Sequence, residues 1–218
     1  MNTDIYNTLR NRIIYLDYEP GLILKEQPLA QEFGVSRTPL RTVLFRLEWE
    51  HLVKILPRTG ILVTELELGS ITHVFQARLE LESVIGTMAA ERMAPEQIRQ
   101  LIRLQSDCDA LSGRIDPRVL GNLDMTTKKL FHNAAANPFL TEMSDRLYCL
   151  TFRLWYFTMR KMDQTAWNLE VDAVRKDLVI LAELLETGKP EQVGQARKEQ
   201  LLKHLKRIRS SFLDLSGL

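Results

Sequence analysis

Arg37, Arg41 and Arg46 fall within the run FGVSRTPLRTVLFRL (residues 33–47), which contains no acid. A guanidinium is a planar fork of donors that fits a phosphate or the O6 and N7 edge of guanine, and a threonine methyl can meet the methyl of thymine. Wound as a helix, the segment gathers Leu40, Val43, Leu44 and Leu47 into one apolar stripe and puts Arg37, Thr38, Arg41 and Phe45 on the opposite side. Ser36 offers an N-cap oxygen, and Pro39 sits in the first turn, where a missing N–H costs nothing. The helix N-terminus adds unpaired N–H groups and the positive end of its dipole. Any exposed helix face can carry charge, so a lone arginine pair decides nothing. Here a tight turn at Gly34 to Ser36 precedes the helix, Phe45 is large and outward, and Arg58, Thr59 and Gly60 follow at a basic hairpin tip. Together they point to DNA.

The elements that must position these residues are legible on either side. Ile5, Leu9, Ile13 and Leu16 recur at helical spacing and stop at Glu19-Pro20-Gly21. Lys25 to Phe33 forms a second short helix with Leu29 and Ala30 inward and Gly34 ending it. The third helix runs from Arg37 to about His51. Two β-rich runs, 52–56 and 60–64, are joined by Pro57, Arg58 and Thr59, a hairpin signal. Three helices and a β-hairpin in this order make a winged helix-turn-helix, placed at residues 1–68. Residues 69–218 change character: helical periodicities near 70–92, 95–112, 117–136, 138–161, 166–187 and 190–213 are separated by Pro95, Gly113, Pro117, Asn137-Pro138 and Gly188 to Pro190. The expected fold class is mainly α, with the second part an all-α antiparallel bundle large enough for an internal pocket.

Bulk composition is permissive. The chain has 218 residues, 45% of them hydrophobic and a net charge of +1, which suits a folded protein and neither favours nor excludes nucleic acid. Eight Lys/Arg and eight Asp/Glu balance within residues 1–66, so the case for DNA rests on where the charges sit. No apolar run approaches the ~18 residues of a membrane span. The N-terminus does not read as a signal peptide. Cys108 and Cys149 lie in apolar helical contexts, which suits free packed thiols in a reducing cytoplasm.

The run LAQEFGVSRTPLR (residues 29–41), with Glu19-Pro20-Gly21 before it and Arg58-Thr59-Gly60 after it, resembles the signature of GntR-family transcriptional regulators. The helical remainder is similar to the FadR-type subgroup and its FCD effector-binding domain, on RLELE (78–82) and on Phe131-His132 through Asn137-Pro138-Phe139-Leu140. The resemblance spans nearly the whole chain. It implies a homodimer on a pseudo-palindromic operator, tuned by a small metabolite such as an organic acid or acyl compound. DNA contacts carry over to Ser36, Arg37, Thr38, Arg41 and the wing at Arg58 to Gly60. A basic position that some relatives use on the second helix is Gln27 here.

Many FCD domains hold a divalent metal with an aspartate one turn before the Phe-His histidine and two later histidines, a donor set suited to Zn, Ni or Mn. This chain keeps His132 and has His204 as a last candidate. Lys128, however, stands where the aspartate is expected, and no histidine occurs between 132 and 204. Asp124 lies two turns away, and Asp177 is a possible substitute. The expectation is therefore no metal cofactor; if one binds, His132 and His204 are its ligands. The effector would then be met by Lys128, Arg78, Arg153, His132 or His204, with the run Phe152 to Met162 lining a cavity or serving as core. The chain has no nucleophile elbow, phosphate loop, paired metal motif or CxxC, so no enzymatic activity is expected. The rival reading is a dimeric DNA-binding protein whose bundle only dimerises. An enclosed polar-lined cavity discriminates against it.

Overall fold

A computed structural model of the chain describes residues 2–216. Helix α1 (Asn2–Ile14) turns Ile5, Leu9 and Ile13 inward and stops where Leu16 adopts a left-handed φ of 55°. Helix α2 (Glu26–Glu32) buries Leu29 and Ala30. It ends in a Schellman motif: Val35 N–H reaches Ala30 O and Gly34 N–H reaches Gln31 O. Helix α3 (Arg37–Trp49) follows, burying Leu40, Val43, Leu44 and Leu47 as the wheel predicts.

The wing differs from a simple hairpin. Strands β2 (Val53–Leu56) and β3 (Gly60–Val63) pair antiparallel as expected, but β1 (Ile23–Leu24) joins the free edge of β3 and gives the order β1-β3-β2. Two residues are too few to show periodicity, so the sequence assigns no element to Ile23 and Leu24. Gly60 makes this pairing possible. Its φ is +140°, and a Cβ there would lie 2.4 Å from Leu24 O.

The helical part comprises α4 (Leu68–Ala90), α5 (Pro95–Asp109), α6 (Pro117–Ala135), α7 (Pro138–Met159), α8 (Gln164–Glu186) and α9 (Pro190–Ser216). Their starts follow local chemistry. Asp116 accepts the Val119 N–H at 3.1 Å ahead of Pro117, and Asn137 accepts that of Leu140 at 3.1 Å ahead of Pro138. Asp163 caps α8 through the Ala166 N–H at 2.8 Å. Helix α4 packs along α9 and against α6 and α7, and α5 packs on α8. Gly194 lets α4 and α9 close up, since a Cβ there would meet Thr87 Oγ1 at 2.2 Å and Ser83 O at 2.6 Å. No helix among the described residues is long and apolar enough to cross a membrane.

The two parts share one continuous apolar core. Helix α1 is the joint. Its end carries Tyr15, which meets Phe152 and Tyr156 edge-on at 5.5 and 5.3 Å between ring centres and hydrogen-bonds Asn122 from α6. Cys108 and Cys149 are both free and buried.

Candidate DNA interface and effector cavity

Ser36, Arg37, Thr38, Arg41 and Phe45 are all exposed at or near the start of α3, with Phe45 at 59%. Ser36 occupies the N-cap position in extended conformation, but its side chain makes no capping bond, contrary to the sequence expectation. The hydroxyl and the first-turn N–H groups therefore stay available to an outside acceptor. Arg37 and Arg58 have no ion pair or side-chain hydrogen bond among the described residues. Arg58 sits at the wing tip with a left-handed φ of 64°, beside exposed Thr59 and half-buried Gly60. Arg41 is tied to Glu26 of α2 through Nε and Nη2, both at 3.1 Å. Lys25, which the sequence reading passed over, donates to Thr59 O at 2.6 Å and adds a cation to the wing.

The third arginine of the run departs from its neighbours. Arg46 lies 3.7 Å over the Tyr6 ring and pairs with Glu50 at 3.4 Å. It faces α1, away from the Arg37 face.

Inside the helical domain, α4, α6, α7, α8 and α9 line a partly open cavity of about 80 Å³. At ~10–15 Å³ for each water, that holds several waters or one small polar molecule. Arg78, Lys128 and His204 line it; His132 and Arg153 do not. His132 is buried with Nε2 unpartnered, and burial together with the Lys128 charge pushes its pKa down to about 4. It is a neutral imidazole behind the wall. Arg153 points instead to the domain junction, donating to Thr64 Oγ1 at 2.8 Å and Thr64 O at 2.6 Å. Phe152 and Trp155 supply the apolar wall, while most of the run to Met162 is core.

The cavity cations are already neutralised. Glu82, 1% exposed, lies between Arg78 at 3.6 Å and Arg197 at 2.5 Å and accepts from Ser144 at 2.8 Å. Burial opposes its ionisation, but the two guanidinium groups win and hold the carboxyl at about 2. Glu170, held at about 2 by His204 and Arg207 against burial, also accepts from Trp155. Lys128 is buried, sits 4.3 Å over the Tyr148 ring and pairs with Asp145. Lys128 therefore faces the interior, whereas its neighbour Lys129 faces out.

Asp145 also takes Arg10 of α1, and Arg10 reaches Glu50 at the end of α3 at 3.2 Å. Tyr6 closes the set with a 2.6 Å bond to Glu50. A continuous polar path thus runs from the cavity wall through Lys128, Asp145, Arg10 and Glu50 to the recognition helix. Its members stand up to 135 residues apart, and no local pattern announces them.

A metal set is not assembled from the residues expected for it. Among the described residues no three His, Cys, Asp or Glu side chains converge on one point. His204 Nδ1 is engaged by Arg207 at 3.3 Å, and His132 is outside the cavity.

A three-helix winged domain with an exposed basic face, joined to an all-α domain built around a charged cavity, defines a DNA-binding regulator with a sensory domain. Residues 2–63 match the bacterial regulatory proteins of the gntR family, and residues 73–207 match the FCD domain. The chain belongs to the GntR family of bacterial regulatory proteins, in the subgroup that carries an FCD domain. It is 28% identical over 111 residues to an uncharacterized HTH-type transcriptional regulator of Agrobacterium vitis, covering 51% of this chain and 65% of that one. It is 34% identical over 121 residues to another from Streptomyces ambofaciens, covering 55% of this chain and 42% of that one. The chain thus spans less than two thirds of the length of these curated relatives. The solved structure of E. coli McbR/YncC superposes with a TM-score of 0.83 at 18% identity, over 97% of this chain and 98% of that one, and shares the fold.

Proposed function

We propose that the chain acts in the cytoplasm as a homodimer on a pseudo-palindromic operator and that a small organic acid or acyl compound in the FCD cavity resets its DNA affinity. The observation that carries this reading is Lys128, which lines the cavity and is bonded to the residue that anchors Arg10. A ligand carboxylate on Lys128 competes with Asp145. Asp145 then loosens from its partners, and the Arg10–Glu50 contact to the end of α3 changes with it. Coupling of this kind is typically worth ~1–3 kcal/mol. The charged, polar-lined cavity supports a sensor over a bundle that serves only to dimerise. Two recognition helices must meet successive major grooves ~34 Å apart, which supports a two-fold dimer. The donor set supports an effector held without a resident transition metal, and elemental analysis of the dialysed protein tests that part.

The experiment is DNA binding by fluorescence anisotropy, on duplexes that the protein itself selects from a random pool. Arg37→Ala and Arg41→Ala each weaken binding by about 1–3 kcal/mol and leave melting unchanged. Undiminished binding in both variants removes the interface from α3. Sedimentation equilibrium on the full chain tests the dimer. A monomer at tens of micromolar defeats that part of the reading.

A further inference from the structure

A second cleft, used by neither the DNA face nor the effector cavity, lies where the wing meets the helical domain. It measures about 510 Å³ and is walled by the wing, the segment leading into α4, and Leu150 and Arg153 of α7. Arg153 is its unusual member. The side chain is 1% exposed, bonds only the neutral oxygens of Thr64, and leaves Nε buried without a partner. The other buried cations, Arg78 and Lys128, have carboxylates: Arg78 shares Glu82 with half-buried Arg197, and Lys128 shares Asp145 with half-buried Arg10. Arg153 has none within ion-pair distance among the described residues. Glu65, an acid whose charge acts on it, holds its carboxylate beside Gly21. Burial accordingly pushes the guanidinium down to about 10.

A buried cation with no counter-ion is strongly disfavoured unless something brings it an anion. Around Arg153 the walls are apolar, formed by Leu62, Leu66, Ile71, Val74 and Leu150. Lys54, His51, Glu65 and Glu67 also line the cleft, and the two carboxylates discourage a multiply charged anion. The Arg153 guanidinium is left without an ion pair among the described residues, beside an apolar trough. We propose that this cleft binds an amphipathic monocarboxylate, its head on Arg153 and its hydrocarbon tail against Leu66, Ile71, Val74 and Leu150. The planar guanidinium suits a carboxylate, and the trough suits a chain rather than a second polar group. Because Arg153 also grips Thr64, the residue after β3, an occupant there bears on the connection between the DNA-binding and helical domains. This site is independent of the effector cavity.

Isothermal titration calorimetry of the full-length chain with decanoate tests it. The expected result is saturable binding of one decanoate per chain, unchanged in Lys128→Gln, with methyl decanoate failing to compete. Arg153→Gln weakens it at least tenfold, and Val74→Trp, which fills the trough, does the same while circular dichroism shows an unaltered melt. Should Arg153→Gln fail to fold, Val74→Trp decides alone. No saturable binding at millimolar decanoate overturns the proposal, as it would if a second copy of the chain closed the cleft. Binding that survives Val74→Trp, or that is lost in Lys128→Gln, overturns it as well.

Discussion

The recognition face and the cavity wall employ the same side chain in opposite states. Arg37 and Arg58 stand in solvent with no partner among the described residues, whereas buried Arg78 and half-buried Arg197 share the buried Glu82. An exposed, unpaired guanidinium keeps its full capacity for an outside anion and adds little to folding. A buried one must be compensated within the fold, and it can serve a ligand only by exchanging one carboxylate for another. Arg41 lies between these states: its pairing with Glu26 orients it but must be surrendered to reach DNA. The interior pairs hold the domain together; the exterior cations are free for recognition.

Glu82→Gln should break this comparison with the largest effect. The change keeps the shape and removes the charge that balances Arg78 and Arg197, leaving both uncompensated. Removing one member of a buried ionic set typically costs ~3–5 kcal/mol. Urea denaturation should register that loss, while Arg37→Ala stays within ~0.5 kcal/mol of the parent. Equal stability of the two variants would mean that the Glu82 cluster is not structurally distinct from the surface.

Acid titration sharpens the same contrast at His132. Its pKa in the fold, about 4, is below the ordinary 6.5, because burial and then Lys128 disfavour the charged ring. Between those values the unfolded chain binds a proton that the folded chain refuses, so stability falls as the pH drops from about 6.5 to about 4. The slope is at most ~1.4 kcal/mol per pH unit. His132→Gln should flatten this window in melts taken from pH 7 to pH 4. An unchanged slope would place the titrating group elsewhere.

What the sequence disclosed follows the range of the interactions involved. The burial of Leu40, Val43, Leu44 and Leu47, the helix breaks at Pro117 and Asn137-Pro138, and the Gly34 turn are set within a few residues, and all were legible. Strand β1 was not, because Ile23 and Leu24 become a strand only when β3 lies beside them. The exposed face of α3 could be drawn on a wheel, whereas the direction of Arg153 toward Thr64, 89 residues away, could not. Lys128 was singled out because it stood where an acid was expected. Its true partner, Asp145, lies one helix further on, across a turn whose geometry sequence alone does not supply.

Arg46 provides the smallest effect and the finest test. By sequence it belongs with Arg37 and Arg41, in one acid-free run on one helix. In the fold it is turned toward α1, its guanidinium 3.7 Å from the Tyr6 ring centre and 3.4 Å from Glu50. Its side chain is still 59% exposed, so solvent screens much of both contacts. A cation–π contact at such a site is worth ~0.5–1 kcal/mol. Arg46→Ala should therefore lower stability by about that amount and leave binding to the selected duplex within a factor of about two, well short of the ~1–3 kcal/mol expected for a base contact. Arg46→Lys keeps the charge but loses the planar stack, and should recover only part of the stability. If Arg46→Ala instead weakens DNA binding as much as Arg37→Ala does, the run acts as one basic surface and the division between paired and unpaired arginines fails at its boundary.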